Sequence, residues 1–520
     1  MAGFVDVLLR GLALVCASLA LGGVAWTRFV LRGEPHAKPD RATVLALRVV
    51  ALAAAAVAAT QVALMTVALG ALADSHGGWP VARYFETAFA RVATLRAALG
   101  IGVAIVASAL ARRPAGPAMW RTLAGGAVAL VAASAALSHA VARVDSRGIL
   151  LVLDALHQIA AAVWVGGLAH LVLYASRIAR DDASFVTERF SRMAFISVAT
   201  LTVAGTGMTI GYVGDLAAFV GTAYGVMIVS KVVLFAVALA FASANFQMAR
   251  AAAGPTGRLG RYVEIELGLA ITVLFAAASL TSLPPAVDVR EDRATVAEVT
   301  GRFVPAMPRL VSPPVDELNR TAEPLMAVPN QRLPIEIAWS EYNHHWAGFF
   351  VLLMGIGAIA ERLGVRWARH WPLGFLGLAA FLFIRNDPRA WPLGPTGFWE
   401  SLTLPDVLQH RIFVLLVIAF AVFEWSVRTG RLAPRPWGYV FPLLCAVGGG
   451  LLLTHSHAMF NLKQEFLTEV THAPLGLFGA FAGWGRWLEL RWPEASSRAG
   501  WAWTLCFTAV GLVLLVYREG

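Results

Sequence analysis

The stretch Phe4-Val-Asp-Val-Leu-Leu-Arg-Gly-Leu-Ala-Leu-Val-Cys-Ala-Ser-Leu-Ala-Leu-Gly-Gly-Val-Ala-Trp-Thr-Arg-Phe-Val-Leu31 carries only Asp6, Arg10 and Arg28 as charges. A helix needs about 20 apolar residues to cross a hydrocarbon core of about 30 Å. This stretch exceeds that, is too long for the apolar part of a secretory signal and shows no convincing cleavage site, so we read it as a retained span. Runs of the same kind recur, centred near Ala56, Gly102, Val131, Val163, Val203, Leu234 and Ile271. Six more follow, near Leu353, Leu378, Val417, Leu444, Phe478 and Val510. The spacing predicts an all-α polytopic membrane protein of about fourteen transmembrane helices. Composition agrees: the chain is 58% hydrophobic and 14% charged, where a soluble domain carries about a quarter charged residues.

Between the eighth and ninth runs lies a proline-rich polar stretch that includes Pro284, Pro285, Pro305, Pro308, Pro313 and Pro314. It divides the chain into an eight-helix module over 1–283, an external loop over 284–340 and a six-helix, histidine-rich module over 341–520.

The net charge of +10 is an orientation signal and a contact for anionic membrane lipid, not a nucleic-acid footprint. Arginines gather in alternate loops, at 32–41, 112–121, 177–192, 250–261, 362–369, 428–435 and 486–498. The positive-inside rule makes these loops cytoplasmic, which puts both termini and the long loop outside, in the periplasm of a bacterial inner membrane. Cys16, Cys445 and Cys506 lie in apolar runs without a CxxC pair and read as small buried hydrophobes.

That topology sets His76, His139, His157, His344, His345, His410, His455, His457 and His472 toward one leaflet. Imidazole under hydrocarbon is costly unless it is paired or bound, so the alignment points to a metal or haem site facing outside. In the first module, Asp154 precedes His157 by one helical turn and Trp164 shares its face. A carboxylate beside an imidazole fixes its tautomer, and His139, at the outer end of the preceding span, is placed to meet His157 across a hairpin. Lys231 and Glu266 are further intramembrane charges: Lys231 either snorkels outward or pairs with a carboxylate such as Asp215, which reads as a structural role, and Glu266 lies near the cytoplasmic end of its span within snorkelling reach of water, with passage of an ion inward as the alternative.

In the second module, Glu341-Tyr-Asn-His344-His345, Gln409-His410, His455-Ser-His457-Ala-Met459 and Glu469-Val-Thr-His472 converge at one depth. Helical neighbours differ by about 100°, so one histidine of each pair is expected to face the bundle. Three or four imidazoles, with Met459 nearby, would then hold one ion. Imidazole suits copper, zinc and haem iron alike, and a hydrogen-bonded polar network remains the alternative without a ligand.

The first module resembles the copper resistance protein D family of bacterial inner-membrane proteins. The matching pieces are Ser138-His139-Ala140, His157 through Gly167, Tyr224-Gly-Val-Met-Ile-Val-Ser-Lys231, and Arg261 to Glu266 with the Pro284-Pro285 ending. Together they span roughly residues 1 to 285. The second module shares His370-Trp-Pro, Asp387-Pro, Trp391-Pro-Leu-Gly and Gly483-Trp484-Gly-Arg486-Trp487 with the longer members. The resemblance implies copper handling, with copper ion taken from periplasm to cytoplasm beside a small periplasmic copper carrier. It implies a transporter or metal-binding protein, not an enzyme, and no GxxxxGK[ST] motif is present to power transport from within this chain. The alternative is a redox protein holding haem b between two histidines, such as His345 with His472 or His410 with His455.

Overall fold

Fourteen apolar runs become helices in the computed structural model, which describes residues 2–31, 40–113, 116–144, 146–174, 180–251, 257–321, 333–454, 462–492 and 496–520. In chain order they begin with α1 (Ala2–Ala25), α2 (Arg41–His76), α3 (Ala88–Leu110) and α4 (Pro117–Ala132). Next come α5 (Arg147–Tyr174), α6 (Arg180–Val213), α7 (Ala223–Ala251) and α8 (Gly257–Leu280). A short helix α9 (Val296–Arg302) sits in the connecting stretch. It is followed by α10 (Pro334–Arg362), α11 (Gly374–Arg385), α12 (Pro405–Arg428), α13 (Val440–Thr454), the short α14 (Leu462–Glu469), α15 (His472–Arg491) and α16 (Ser496–Leu515). The described residues form no strand beyond a single bridge between Ala390 and Thr396.

Twelve of these helices are long and apolar enough to cross a membrane; the protein is a polytopic membrane protein. The other two expected spans are helical but differ in kind. The α13 helix has only 15 residues, and α15 ends in Arg486, Glu489 and Arg491. The run near Leu378 is a full span once the turn from Arg366 is counted.

Local chemistry sets the helix ends. Asp40 accepts from the Thr43 amide at 2.7 Å and starts α2, Thr87 does the same for α3 through Ala90, and Pro117 opens α4; each satisfies or removes an orphan donor. The α10 helix begins at Pro334, earlier than the apolar run suggested. Glu336 folds back to accept from the Leu333 amide at 2.9 Å, so the polar Glu336, Ser340 and Glu341 extend the helix beyond its apolar part.

The chain divides into two compact units, one running essentially from Met1 to Glu291 and the other from Asp292 to Gly520. In the first, α1 is central and packs on α2, α4, α5 and α8. Its approach to α5 depends on glycine: a Cβ on Gly166 would lie 1.8 Å from the Ser18 carbonyl oxygen, and one on Gly22 would lie 2.4 Å from the Gly166 α-carbon. Small residues allow this contact where hydrophobic collapse offers little drive between helices in lipid. The second unit is aromatic instead. Trp371, Phe441, Trp503 and Phe507 form its core between α10, α12, α13, α15 and α16.

Candidate functional site

In the first unit, two histidines are held by carbonyls of facing helices. His157 donates from Nδ1 to the Leu201 carbonyl on α6 at 3.0 Å. His139 donates from Nε2 to the Leu280 carbonyl at the end of α8 at 3.0 Å. A ring nitrogen bound to a carbonyl must carry the proton, so the opposite nitrogen keeps its lone pair. This is the outer-shell arrangement that orients histidine ligands.

His139 lies edge-on to Tyr212 and Tyr224, with ring centroids 6.3 and 6.2 Å away. The two phenols are themselves 6.2 Å apart. Arg143 sits over Tyr212 and pairs with Asp288 at 2.7 Å.

Asp154 is buried, but its carboxylate accepts from Gln158 at 2.9 Å rather than from His157. One turn of helix stacks Gln158 above Asp154, while His157 is rotated toward α6. Gln158 in turn accepts from Ser134. The second carboxylate oxygen of Asp154 has no hydrogen-bond partner among the described residues, and the charge acting on Lys231 is that of Asp154. Asp215 caps the following turn through the Ala218 amide at 3.0 Å. Trp164 lies about 10 Å further along α5. It packs edge-on to Phe235 at 5.5 Å, and Glu266 accepts from Asn245 at 3.0 Å.

In the second unit, the adjacent histidines of α10 face different ways, as a helix demands. His345 is fully buried; it accepts at Nδ1 from the Arg309 amide at 2.7 Å and donates from Nε2 to the Tyr517 carbonyl at 2.8 Å. Both nitrogens are engaged, which leaves His345 no lone pair for a metal or a haem iron in this arrangement. His344 donates to the Ser340 carbonyl at 2.8 Å, stacks on Tyr517, and lies 6.3 Å from the ring of His472. Around them, Glu341 accepts from the Glu519 amide at 3.3 Å and pairs with Arg309 at 3.6 Å.

His410 pairs with Asp387 at 2.7 Å at the start of α12. His370 accepts from the Trp425 indole at 2.7 Å. His455, His457 and Met459 lie outside the described residues. Among the described residues, no three His, Cys, Asp or Glu side chains gather so as to hold a metal ion.

Two features were not singled out from the sequence. His170 on α5 is fully buried, donates to the Gly166 carbonyl at 2.7 Å and packs against Gly23 and Trp26; its i,i+4 spacing from Gly166 was the available signal.

The other feature is a buried charge cluster in the second unit. Arg428 pairs with Glu424 at 2.7 Å and with Glu361 at 2.9 Å, and Glu489 pairs with both Arg362 and Arg486 at 2.5 Å. Trp371 donates to Glu361 at 2.9 Å and Trp503 to Glu489 at 2.6 Å. Arg428 also lies 5.1 Å from the Trp371 ring and 5.4 Å from that of Trp503. The cluster ties together the ends of α10, α12, α15 and α16.

Residues 185–280 match the family model described as copper resistance protein D. The chain is also similar to a Bacillus subtilis (strain 168) protein described as copper transport protein CutJ, at 29% identity over 226 residues. The aligned part is 41% of this chain and 41% of that relative, so the match spans about two fifths of either protein. No solved structure matches.

Proposed function

We propose that the protein carries copper ions across a bacterial inner membrane, taking them at the periplasmic face through histidines. The observation that carries this reading is where the matched domain falls. It supplies Leu201 and Leu280, the two carbonyls that orient His157 and His139, together with Tyr212 and Tyr224 beside His139 and, elsewhere in the domain, Lys231 and Glu266. In this reading His139, through Nδ1, and His157, through Nε2, receive the ion. Asp154 and Lys231 form a charge pair beside the path, and Trp164 and the Glu266–Asn245 pair lie further inward.

In the second unit, His344, with Tyr517 stacked on it, and His472 are the proposed ligands, and His455, His457 and Met459 stay candidates from the sequence. His345 orders the neighbouring backbone, and His410 is held by Asp387. Both termini are periplasmic in this reading, a small periplasmic carrier protein delivers the copper, and the basic loops contact anionic lipid on the cytoplasmic side.

The test is uptake of radioactive copper by right-side-out membrane vesicles. Vesicles holding the protein should accumulate more copper than empty controls. His157→Ala should lower the rate by about tenfold or more, since loss of one imidazole removes a direct ligand. Uptake no greater than in the controls, or a reporter at Gly520 active only in the cytoplasm, would overturn the transport reading and its orientation respectively.

A further inference from the structure

His139 and His157, the two imidazoles proposed to receive the ion, stand at different levels of the first unit. His139 lies edge-on to both Tyr212 of α6 and Tyr224 of α7, and the two phenol rings are 6.2 Å apart. That contact aligns the end of α6 with the start of α7. One turn back from Tyr212 is Met208, about 6 Å along α6, and one turn on from Tyr224 is Met227, about 5 Å along α7. Both methionines pack against the cluster that contains Leu150, Tyr212, Tyr224 and Leu280. A further turn brings His157. Its ring lies against Gly205 of α6, where a Cβ would be 3.0 Å from the imidazole, and the charge of Lys231, one turn beyond Met227, acts on it.

The level between the two imidazoles is therefore held by two thioethers, one from each helix. Imidazole suits several metals, whereas thioether sulfur is a soft ligand that selects Cu(I). The three cysteines pack elsewhere, Cys16 in the core around α1 and Cys445 and Cys506 against the aromatic core of the second unit. The sulfur atoms packed against this cluster are those of Met208 and Met227.

We infer that Met208 and Met227 form a thioether site for Cu(I) between His139 and His157, so that the ion passes from imidazole to sulfur to imidazole. The inference rests on the copper reading above, and adds to it two ligands and the oxidation state of the cargo. No electron is transferred, because the ion enters, is held and leaves as Cu(I).

The experiment loads the full chain in detergent with one equivalent of Cu(I) under anaerobic conditions and reads X-ray absorption at the copper edge. Sulfur scatterers should appear at about 2.3 Å, an ordinary metal–sulfur distance. Combining Met208→Leu with Met227→Leu should remove them and weaken Cu(I) binding about tenfold or more, measured by competition with a chromophoric chelator. Leucine fills nearly the volume of methionine at small cost, so the fold is kept. Met193→Leu, further along α6 against Gly167, should change neither readout. Absence of Cu(I) binding, copper bound without sulfur in the unaltered protein, or sulfur and affinity that survive in the double variant each overturn the inference and leave the methionines as core packing. Uptake by the vesicles can persist in all three cases, so the transport reading is judged separately; sulfur-bound Cu(I) without uptake would keep this site and remove the transport.

Discussion

His344 and Tyr517 stack with ring centroids 4.1 Å apart and planes inclined by 23°. The same tyrosine binds the next histidine through its carbonyl, at 2.8 Å from His345 Nε2. One residue near the end of the chain therefore separates two adjacent imidazoles into different roles. The first stacks on the tyrosine ring with His472 6.3 Å away, and the second becomes part of the backbone hydrogen-bonding of the Arg309 segment.

His345→Phe should therefore cost stability. Removing two hydrogen bonds from a fully buried ring leaves the Arg309 amide and the Tyr517 carbonyl without partners, at about 1–3 kcal/mol. Thermal unfolding should fall accordingly, while copper uptake per folded molecule stays unchanged. An unaltered melting temperature would show that the buried ring does not order this region.

Replacing Arg428 by methionine should be among the most damaging single changes. It strands Glu424 and Glu361 in the interior, and breaking a buried ion pair from one side costs about 3–5 kcal/mol. The readout is the yield of monodisperse protein and its melting temperature. Glu424→Gln, which keeps the shape and leaves Arg428 its bond to Glu361, should be milder.

Two glycine substitutions should diverge. Gly166→Ala puts a methyl group 1.8 Å from the Ser18 carbonyl, and with backbone on the far side the cost should be about 3 kcal/mol or more. Gly125→Ala on α4 meets nothing within 4 Å and should be neutral or stabilising by up to about 1 kcal/mol. Equal melting temperatures for the two variants would contradict the close approach of α1 and α5.

Outside the spans, Lys463 and Thr295 hold the carboxyl of Glu298 down at about 2, from an ordinary 4.5. The folded state binds this proton less readily than the unfolded state. The contact therefore contributes its full share at neutral pH and down to about 4.5, and loses it as pH falls toward about 2. Comparing the unaltered protein with Glu298→Gln across that range, the difference in stability should shrink as acid is added. A difference that grows on acidification would have the wrong sign for a depressed carboxyl.

The helices were legible because apolar runs of about 20 residues have few other uses, and all the expected runs are helical, even where α13 proved short. The turn of His344 away from His345 followed from helical geometry alone. Hydrogen-bond partners were not legible. His157 is oriented by Leu201 and His139 by Leu280, backbone groups that any residue type could supply, so no side-chain pattern advertises them. The same holds for Asp154, whose neighbour by spacing was as much His157 as Gln158. The charge cluster was hidden for another reason. Counting arginines at loop boundaries assigns them to the cytoplasm, yet Arg362, Arg428 and Arg486 each turn toward a glutamate on their own or another helix, which only the packed bundle reveals.

That cluster has an electrical consequence. Its three arginines, Arg362, Arg428 and Arg486, are matched by Glu361, Glu424 and Glu489, so as a group it carries no net charge. A transmembrane potential does work of about 2.3 kcal/mol per elementary charge per 100 mV, and on a neutral group that work vanishes. A displacement of the six side chains as one unit therefore moves no net charge across the membrane, whereas pulling an arginine away from its glutamate would do electrical work.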